Sequence, residues 1–146
     1  MVPDFTANGN LPPGIHQASW EEFNLRFGTT DYRRWLLAGL ASAIRELQAA
    51  GCRAIYVDGS FVTTKEEPGD YDACWEVAGV DIEGLDPILY EVEESTDPQK
   101  IKYRGELFPV WARYSAHYHD HLEYFQYDRD GQAKGIVVLD LRGFQP

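Results

Sequence analysis

The fold is decided by the stretch Asp58-Gly59-Ser60-Phe61-Val62-Thr63-Thr64-Lys65-Glu66-Glu67-Pro68-Gly69-Asp70-Tyr71-Asp72. It follows Arg53-Ala54-Ile55-Tyr56-Val57, a short β-branched and aromatic run that predicts a buried strand ending at a turn. If Tyr71 lies in a second strand, the period of two directs the side chains of Asp70 and Asp72 to the same face. Two converging carboxylates are suitable ligands for a hard cation, so the stretch predicts a metal site.

Length and composition restrict the class of protein. The chain has 146 residues and a formal net charge of −11, and we expect one domain over residues 1–146 with a single core. No apolar run approaches the ~20 residues that cross a bilayer, and no leader pattern opens the chain, so we expect a soluble, cytoplasmic protein without a membrane partner. The negative charge makes a nucleic-acid partner improbable, because phosphate neutralisation needs clustered Lys and Arg. Cys52 and Cys74 predict buried thiols.

The remaining segments with regular apolar spacing predict further elements, and residues 1–18 have the composition of an ordered arm. In chain order the predicted elements are a helix over 20–26 that stops at Gly28, a helix from 31 to 51, a strand over 71–77, a helix over 84–94, a strand over 101–110, a helical surface that includes His117 and His121, and a strand over 134–141. This order predicts an α/β fold with a mixed sheet and helices mainly on one face.

Gly59-Ser60, nine intervening residues and Asp70-Tyr71-Asp72 resemble the signature of the DNA polymerase β-like nucleotidyltransferase superfamily. Four segments together also resemble the small bacterial DUF6932 proteins, which we associate with the same superfamily. These segments are Leu11-Pro12-Pro13-Gly14-Ile15-His16, the stretch from Asp58 to Asp72, Gly105-Glu106-Leu107-Phe108-Pro109 and Lys134-Gly135-Ile136-Val137.

The superfamily resemblance implies roles for the residues of the stretch. Gly59 and Ser60 would grip the terminal phosphates of a nucleoside triphosphate, and Asp70 and Asp72 would hold two Mg²⁺ ions. A third acid from a later strand completes such sites, and Glu106 is the best candidate, although it could equally be an exposed strand residue.

Several cations are candidate phosphate contacts. A strand over 101–110 would bring Lys102 and Arg104 onto the face of Glu106 by period two. Thr63, Thr64 and Lys65 could also contact phosphates, or belong to a solvated loop whose acidic neighbours weaken any positive field.

By resemblance, the leading hypothesis is a Mg²⁺-dependent nucleotidyltransferase. It would move an NMP group from a nucleoside triphosphate onto a hydroxyl of a protein or small molecule, in some cases as part of a toxin–antitoxin pair with a partner encoded nearby. The alternative is a catalytically inactive, antitoxin-like binding module that keeps the fold and acts by protein contact. A zinc site at His117, His119 and His121 is a third hypothesis, although a partly exposed helical surface explains these residues more simply.

Overall fold

The computed structural model describes residues 1–110, 125–128 and 130–144. The strands in these ranges are β1 (Gly14–Ala18), β2 (Ala54–Asp58), β3 (Tyr71–Trp75), β4 (Gly105–Pro109) and β5 (Gly135–Asp140). The α-helices in these ranges are α1 (Trp20–Phe27), α2 (Asp31–Ala49) and α3 (Asp97–Tyr103).

The five strands form one mixed sheet in the order β1-β5-β2-β3-β4. β2 is antiparallel to both of its neighbours, β5 and β3, whereas the two outer pairs, β1 with β5 and β3 with β4, are parallel. Ile55, Val57, Ala73 and Trp75 point to one face and pack with α1 and α2 in the main core. The alternating residues, such as Asp72, therefore lie on the opposite face. The predicted α/β class and mixed sheet are confirmed.

The two N-terminal helices form where the sequence predicts them. The side chain of Ser19 accepts a hydrogen bond from Glu22 N at the start of α1, and that of Thr30 accepts one from Arg33 N at the start of α2. Each cap satisfies one backbone donor that has no partner inside the helix. The buried residues of α2 recur at helical spacing and face the sheet, and the chain leaves the helix at Gly51, whose φ is +97°.

The N-terminal segment contains a strand that the sequence analysis did not predict. Residues Gly14–Ala18 form β1, an edge strand whose register aligns Gly14 with Gly135 and Ala18 with Leu139. The strand exists because β5 supplies its hydrogen-bonding partner, and this distant pairing leaves no local pattern.

The helix predicted over 84–94 is wrong. Only two short 3₁₀ turns form there, Ile82–Gly84 and Pro87–Leu89. The carbonyl of Ile88 accepts from Gln99 Nε2 at 2.8 Å, and that of Leu89 accepts from Trp75 Nε1 at 3.1 Å. Side chains from elsewhere in the core have thus taken the carbonyls that a continuous α-helix would need for itself.

The strand predicted over 101–110 is wrong in its first half. Residues 101–103 belong to α3, and Arg104 ends that helix in the left-handed region at φ +68° before β4 begins. The buried side chain of Gln99 fastens α3 to β4, because its Nε2 donates to Leu107 O at 2.7 Å and its Oε1 accepts from Leu107 N at 2.9 Å. Lys102 and Arg104 consequently do not share a strand face with Glu106.

Three other sequence predictions have different outcomes. Cys52 and Cys74 are both buried, as expected. His117, His119 and His121 lie outside the described residues. No helix in the described ranges is both long and apolar enough to span a bilayer.

Candidate active site

The chain turns sharply where β2 ends. Asp58 closes the strand, and Gly59–Val62 form a 3₁₀ turn that begins with Gly59 at φ +80°. A Cβ atom on Gly59 would lie 2.4 Å from Asp72 Oδ2, which is closer than any real contact allows. Glycine is therefore required twice, for the positive φ and for the close approach of the Asp72 carboxylate to the turn.

Three carboxylates come together beside this turn. Asp70 directly precedes β3, Asp72 lies in β3, and Glu106 lies opposite Asp72 in the β3–β4 register. One oxygen of each carboxylate lies within 4.8 Å of the corresponding oxygens of the other two. The structure thus brings together the three acids that the resemblance implies as metal ligands.

A fourth carboxylate lies next to them and is paired with a lysine. Asp58 is opposite Asp72 in the β2–β3 register, and its side chain is only 4% exposed. Its Oδ1 lies 3.2 Å from Nζ of Lys134, the residue immediately before β5. The sequence analysis gave neither residue a role, because their pairing depends on the adjacency of β2 and β5 in the sheet.

Burial and mutual repulsion disfavour charge on these acids. Burial, and after it the nearby Asp70, Glu106 and Asp58 carboxylates, raise the pKa of Asp72 to about 8 against the attraction of Lys134. Burial raises the pKa of Asp58 to about 6 against the attraction of Lys134. Burial and then Glu106 raise the pKa of Asp70. A cation among these oxygens would relieve the repulsion.

The donor set suits a divalent metal ion. Asp70, Asp72 and Glu106 offer only carboxylate oxygens, which hard cations such as Mg²⁺ prefer. Two oxygens bound to one Mg²⁺ ion are about 3 Å apart when adjacent and about 4.2 Å apart when opposite. Oxygens that all lie within 4.8 Å of one another therefore come close to this geometry. These three residues therefore fit a Mg²⁺ site.

The carboxylates line a cleft of about 540 Å³ on the sheet face opposite the main core. Ser60 and Lys65 line it near the turn, Lys134 lines it beside Asp58, and Phe108 and Tyr127 supply aromatic surface. The cleft has the size of a small-molecule site and combines acids, cations and aromatic rings.

The threonines before Lys65 have structural contacts. Thr63 Oγ1 donates to Ser60 O at 2.6 Å and accepts from Lys65 N at 3.2 Å. Thr64 N donates to Gly9 O at 3.1 Å and so ties this loop to the N-terminal segment. Of the three residues considered for phosphate contact, Lys65 is the one that lines the cleft.

The two cations proposed from the 101–110 segment do not line the cleft. Lys102 lies on α3 and forms an ion pair with Asp86 at 2.5 Å. The Arg104 guanidinium lies 4.3 Å from the centre of the Trp35 ring and donates to Trp35 O at 2.6 Å. The expectation that they accompany Glu106 is wrong, because the helix end at Arg104 breaks the assumed strand periodicity.

Arg33 on α2 supports the turn from the core side. Arg33 as a whole is 2% exposed. Its guanidinium donates to Phe61 O at 2.7 Å, Thr63 O at 3.0 Å and Lys65 O. Phe27 O is a fourth acceptor, and the group lies 4.9 Å from the centre of the Phe61 ring. A charged residue among apolar helix positions was the available sequence signal for this contact.

Comparison with known proteins gave one match. A family model described as "Family of unknown function (DUF6932)" matches residues 3–140. No curated protein and no solved structure matches the chain significantly.

Proposed function

This chain belongs to the DUF6932 family of unknown function, and we propose that it is a Mg²⁺-dependent nucleotidyltransferase. It would transfer an NMP group from a nucleoside triphosphate to a hydroxyl of a protein or small molecule. The observation that carries the proposal is the convergence of the Asp70, Asp72 and Glu106 oxygens within 4.8 Å, beside the Gly59-Ser60 turn.

Asp70, Asp72 and Glu106 are the residues that would hold Mg²⁺, and we expect two ions. When bound, the metal supplies charge neutralisation for the phosphates and lowers the pKa of the attacking hydroxyl. Ser60 offers its hydroxyl to the terminal phosphates from the turn. In the transfer, the acceptor oxygen forms a bond to the α-phosphorus, the bond to the β-phosphate oxygen breaks, and pyrophosphate leaves.

Glu106 would help to remove the proton of the acceptor hydroxyl. Its side chain is 26% exposed, so an acceptor entering from solvent can reach it. Lys100 Nζ lies 4.0 Å from Glu106 Oε1, at the outer edge of an ion pair.

An antitoxin-like binding module is the second candidate. The net charge of −11 favours it, because an acidic surface attracts a basic protein partner. This module would keep the fold and need neither the metal nor the nucleotide.

Asp72→Asn separates the two functions, with Asp4→Asn at an exposed position as the matched control. The substitution keeps the side-chain shape and removes one ligand charge. We expect wild type and Asp4→Asn to transfer label from an α-³²P nucleotide to the neighbouring gene product in the presence of Mg²⁺, and Asp72→Asn to transfer none.

All four nucleoside triphosphates are tested, each with Mg²⁺ and with EDTA, and bound Mg²⁺–nucleotide should raise the melting temperature. Full labelling by Asp72→Asn would remove the catalytic role from that residue. Absence of labelling and of any thermal shift for wild type, with intact pull-down of the partner by both proteins, would establish the binding module instead.

A further inference from the structure

The cleft contains few positive groups for a ligand that carries several negative charges. Among the described residues that line it, Lys65 and Lys134 are the ones with cationic side chains. Asp58, Asp70, Asp72 and Glu106 line the same cleft. A polyphosphate that enters needs cationic partners besides any metal ion, since the protein otherwise repels it.

The side chain of Lys134 is held in place more firmly than that of Lys65. The backbone N–H of Lys134 donates to Gln126 O at 2.9 Å, and the next residue, Gly135, donates to Leu11 O at 3.1 Å and begins the interior strand β5. Its side chain is 19% exposed, and the ion pair with Asp58 fixes Nζ at 3.2 Å. Lys65, by contrast, is exposed in the loop between the turn and β3. A cation fixed before binding loses little conformational entropy when a ligand arrives.

The ion pair leaves part of the Lys134 ammonium available. An ammonium group has three N–H donors, and within the described ranges Asp58 is the one carboxylate in ion-pair distance of Nζ. Lys134 lines the cleft and its side chain keeps 19% of its surface exposed, whereas the Asp58 side chain is 4% exposed.

We propose that Lys134 donates a charge-assisted hydrogen bond to the phosphate chain of the substrate while Asp58 holds its ammonium in position. This inference rests on the proposed nucleotide-binding function and names a binding residue for it. Asp58 acts as the positioning residue, because it touches the ammonium and not the substrate.

The competing explanation is purely structural, with Lys134 serving only as the counterion of a buried carboxylate. Lys134→Met alone does not distinguish the two, because an unpaired buried Asp58 would destabilise the protein. The pair is therefore replaced together as Asp58→Asn/Lys134→Met, which removes both charges of the pair and leaves neither one without its partner. Two further variants serve as controls. Asp58→Asn alone retains the Lys134 ammonium, and Lys102→Met removes one positive charge from α3, away from the cleft.

Binding of Mg²⁺ with inorganic tripolyphosphate, and of Mg²⁺ with each nucleoside triphosphate, is measured by titration calorimetry on the full chain. Tripolyphosphate tests the phosphate contact independently of base preference. We expect Asp58→Asn/Lys134→Met to bind at least about tenfold more weakly than Asp58→Asn, the loss typical of one hydrogen bond to a charged group. Lys102→Met should bind as wild type does. Mn²⁺ affinity measured without phosphate should not show this tenfold loss in the double variant relative to Asp58→Asn, because the loss concerns the phosphate.

Each outcome decides a different point. If wild type binds and the double variant binds as tightly as Asp58→Asn, the inference fails and the proposed function stands. If wild type binds neither tripolyphosphate nor any nucleotide, both fail. Should the double variant not fold, Asp58→Asn/Lys134→Gln replaces it, since two amide side chains can hydrogen bond to each other, and the same comparison with Asp58→Asn applies.

Discussion

Gly59 illustrates how one residue controls the geometry of the carboxylates. Its φ is +80°, and Gly131 has nearly the same φ, +78°. Of these two glycines, Gly59 is the one at which a Cβ atom would meet the side chain of Asp72. Among the described residues other than its chain neighbours, no atom lies within 4 Å of the position that a Cβ on Gly131 would take. Comparing alanine substitutions at the two positions therefore separates the effect of backbone strain from the effect of displacing Asp72.

We predict that Gly59→Ala lowers metal affinity as well as stability. Both Gly59→Ala and Gly131→Ala should lose about 1–2 kcal/mol of unfolding free energy, because alanine is strained at this φ. Gly59→Ala must in addition push the Asp72 carboxylate away, and we expect Mn²⁺ affinity to fall by about 10- to 100-fold, as it does when ligand support is removed. Urea unfolding and calorimetric Mn²⁺ titration measure the two effects. Equal Mn²⁺ affinity in the two variants would contradict the role given to Gly59.

At the scale of elements, α2 and the turn after β2 behave as one unit because of Arg33. The guanidinium donates to the carbonyl of residue 27, at the end of α1, and to those of residues 61, 63 and 65, in the turn after β2 and the loop that follows it. Burial lowers the pKa of Arg33 from its ordinary value, but arginine keeps its charge at any physiological pH. The arrangement fixes the loop that carries Ser60 and Lys65 to the rigid core.

We predict that Arg33→Met destabilises the protein by about 2–4 kcal/mol, since it leaves buried carbonyls without donors. Amide hydrogen exchange should accelerate at residues 61–65 more than in β5. Arg34→Met is the control, because Arg34 is exposed and donates to Gly28 O at 2.9 Å on the surface. Unchanged exchange at 61–65 in the Arg33 variant would show that other contacts hold the loop.

The elements that sequence could predict are those with a local cause. α1 and α2 have caps and an apolar stripe, and β2 and β3 flank a glycine turn, so their existence follows from nearby residues. The helix predicted over 84–94 does not form, because side chains of other elements, Gln99 and Trp75, donate to its carbonyls. The end of α3 could not be predicted, because Arg104 occupies a left-handed position that is usually occupied by glycine.

The residues of the site also divide into those that the local sequence predicts and those that it does not. Asp70 and Asp72 are separated by one residue, and their convergence on one face follows from strand period. Glu106 could be suggested only from resemblance, since its position depends on the parallel pairing of β3 with β4. Asp58 and Lys134 meet through the pairing of β2 with β5, which nothing in either local sequence announces.

At the scale of the whole molecule, the excess of negative charge and the acidic cleft make stability depend on pH. The net charge is −11, and Asp58, Asp70 and Asp72 all have raised pKa values. For Asp72, the folded-state pKa of about 8 exceeds the unfolded value of about 3.9. Between these limits the folded state keeps a proton that the unfolded state has released, so the unfolding free energy falls as pH rises.

We predict that wild type in EDTA is less stable at pH 8 than at pH 5, and that Asp72→Asn shows a smaller decline. General repulsion among the surface charges destabilises both proteins with rising pH, so the difference between them isolates Asp72. Mg²⁺ should raise the stability of wild type more at pH 8 than at pH 5, because it binds the deprotonated carboxylates of the folded state. Urea unfolding at the two pH values, with Mg²⁺ and with EDTA, measures all these quantities. Parallel pH curves for the two proteins in EDTA would mean that Asp72 is already ionised without a metal. The repulsion among the carboxylates, which should favour a cation at this site, would then be weaker than the burial of Asp72 implies.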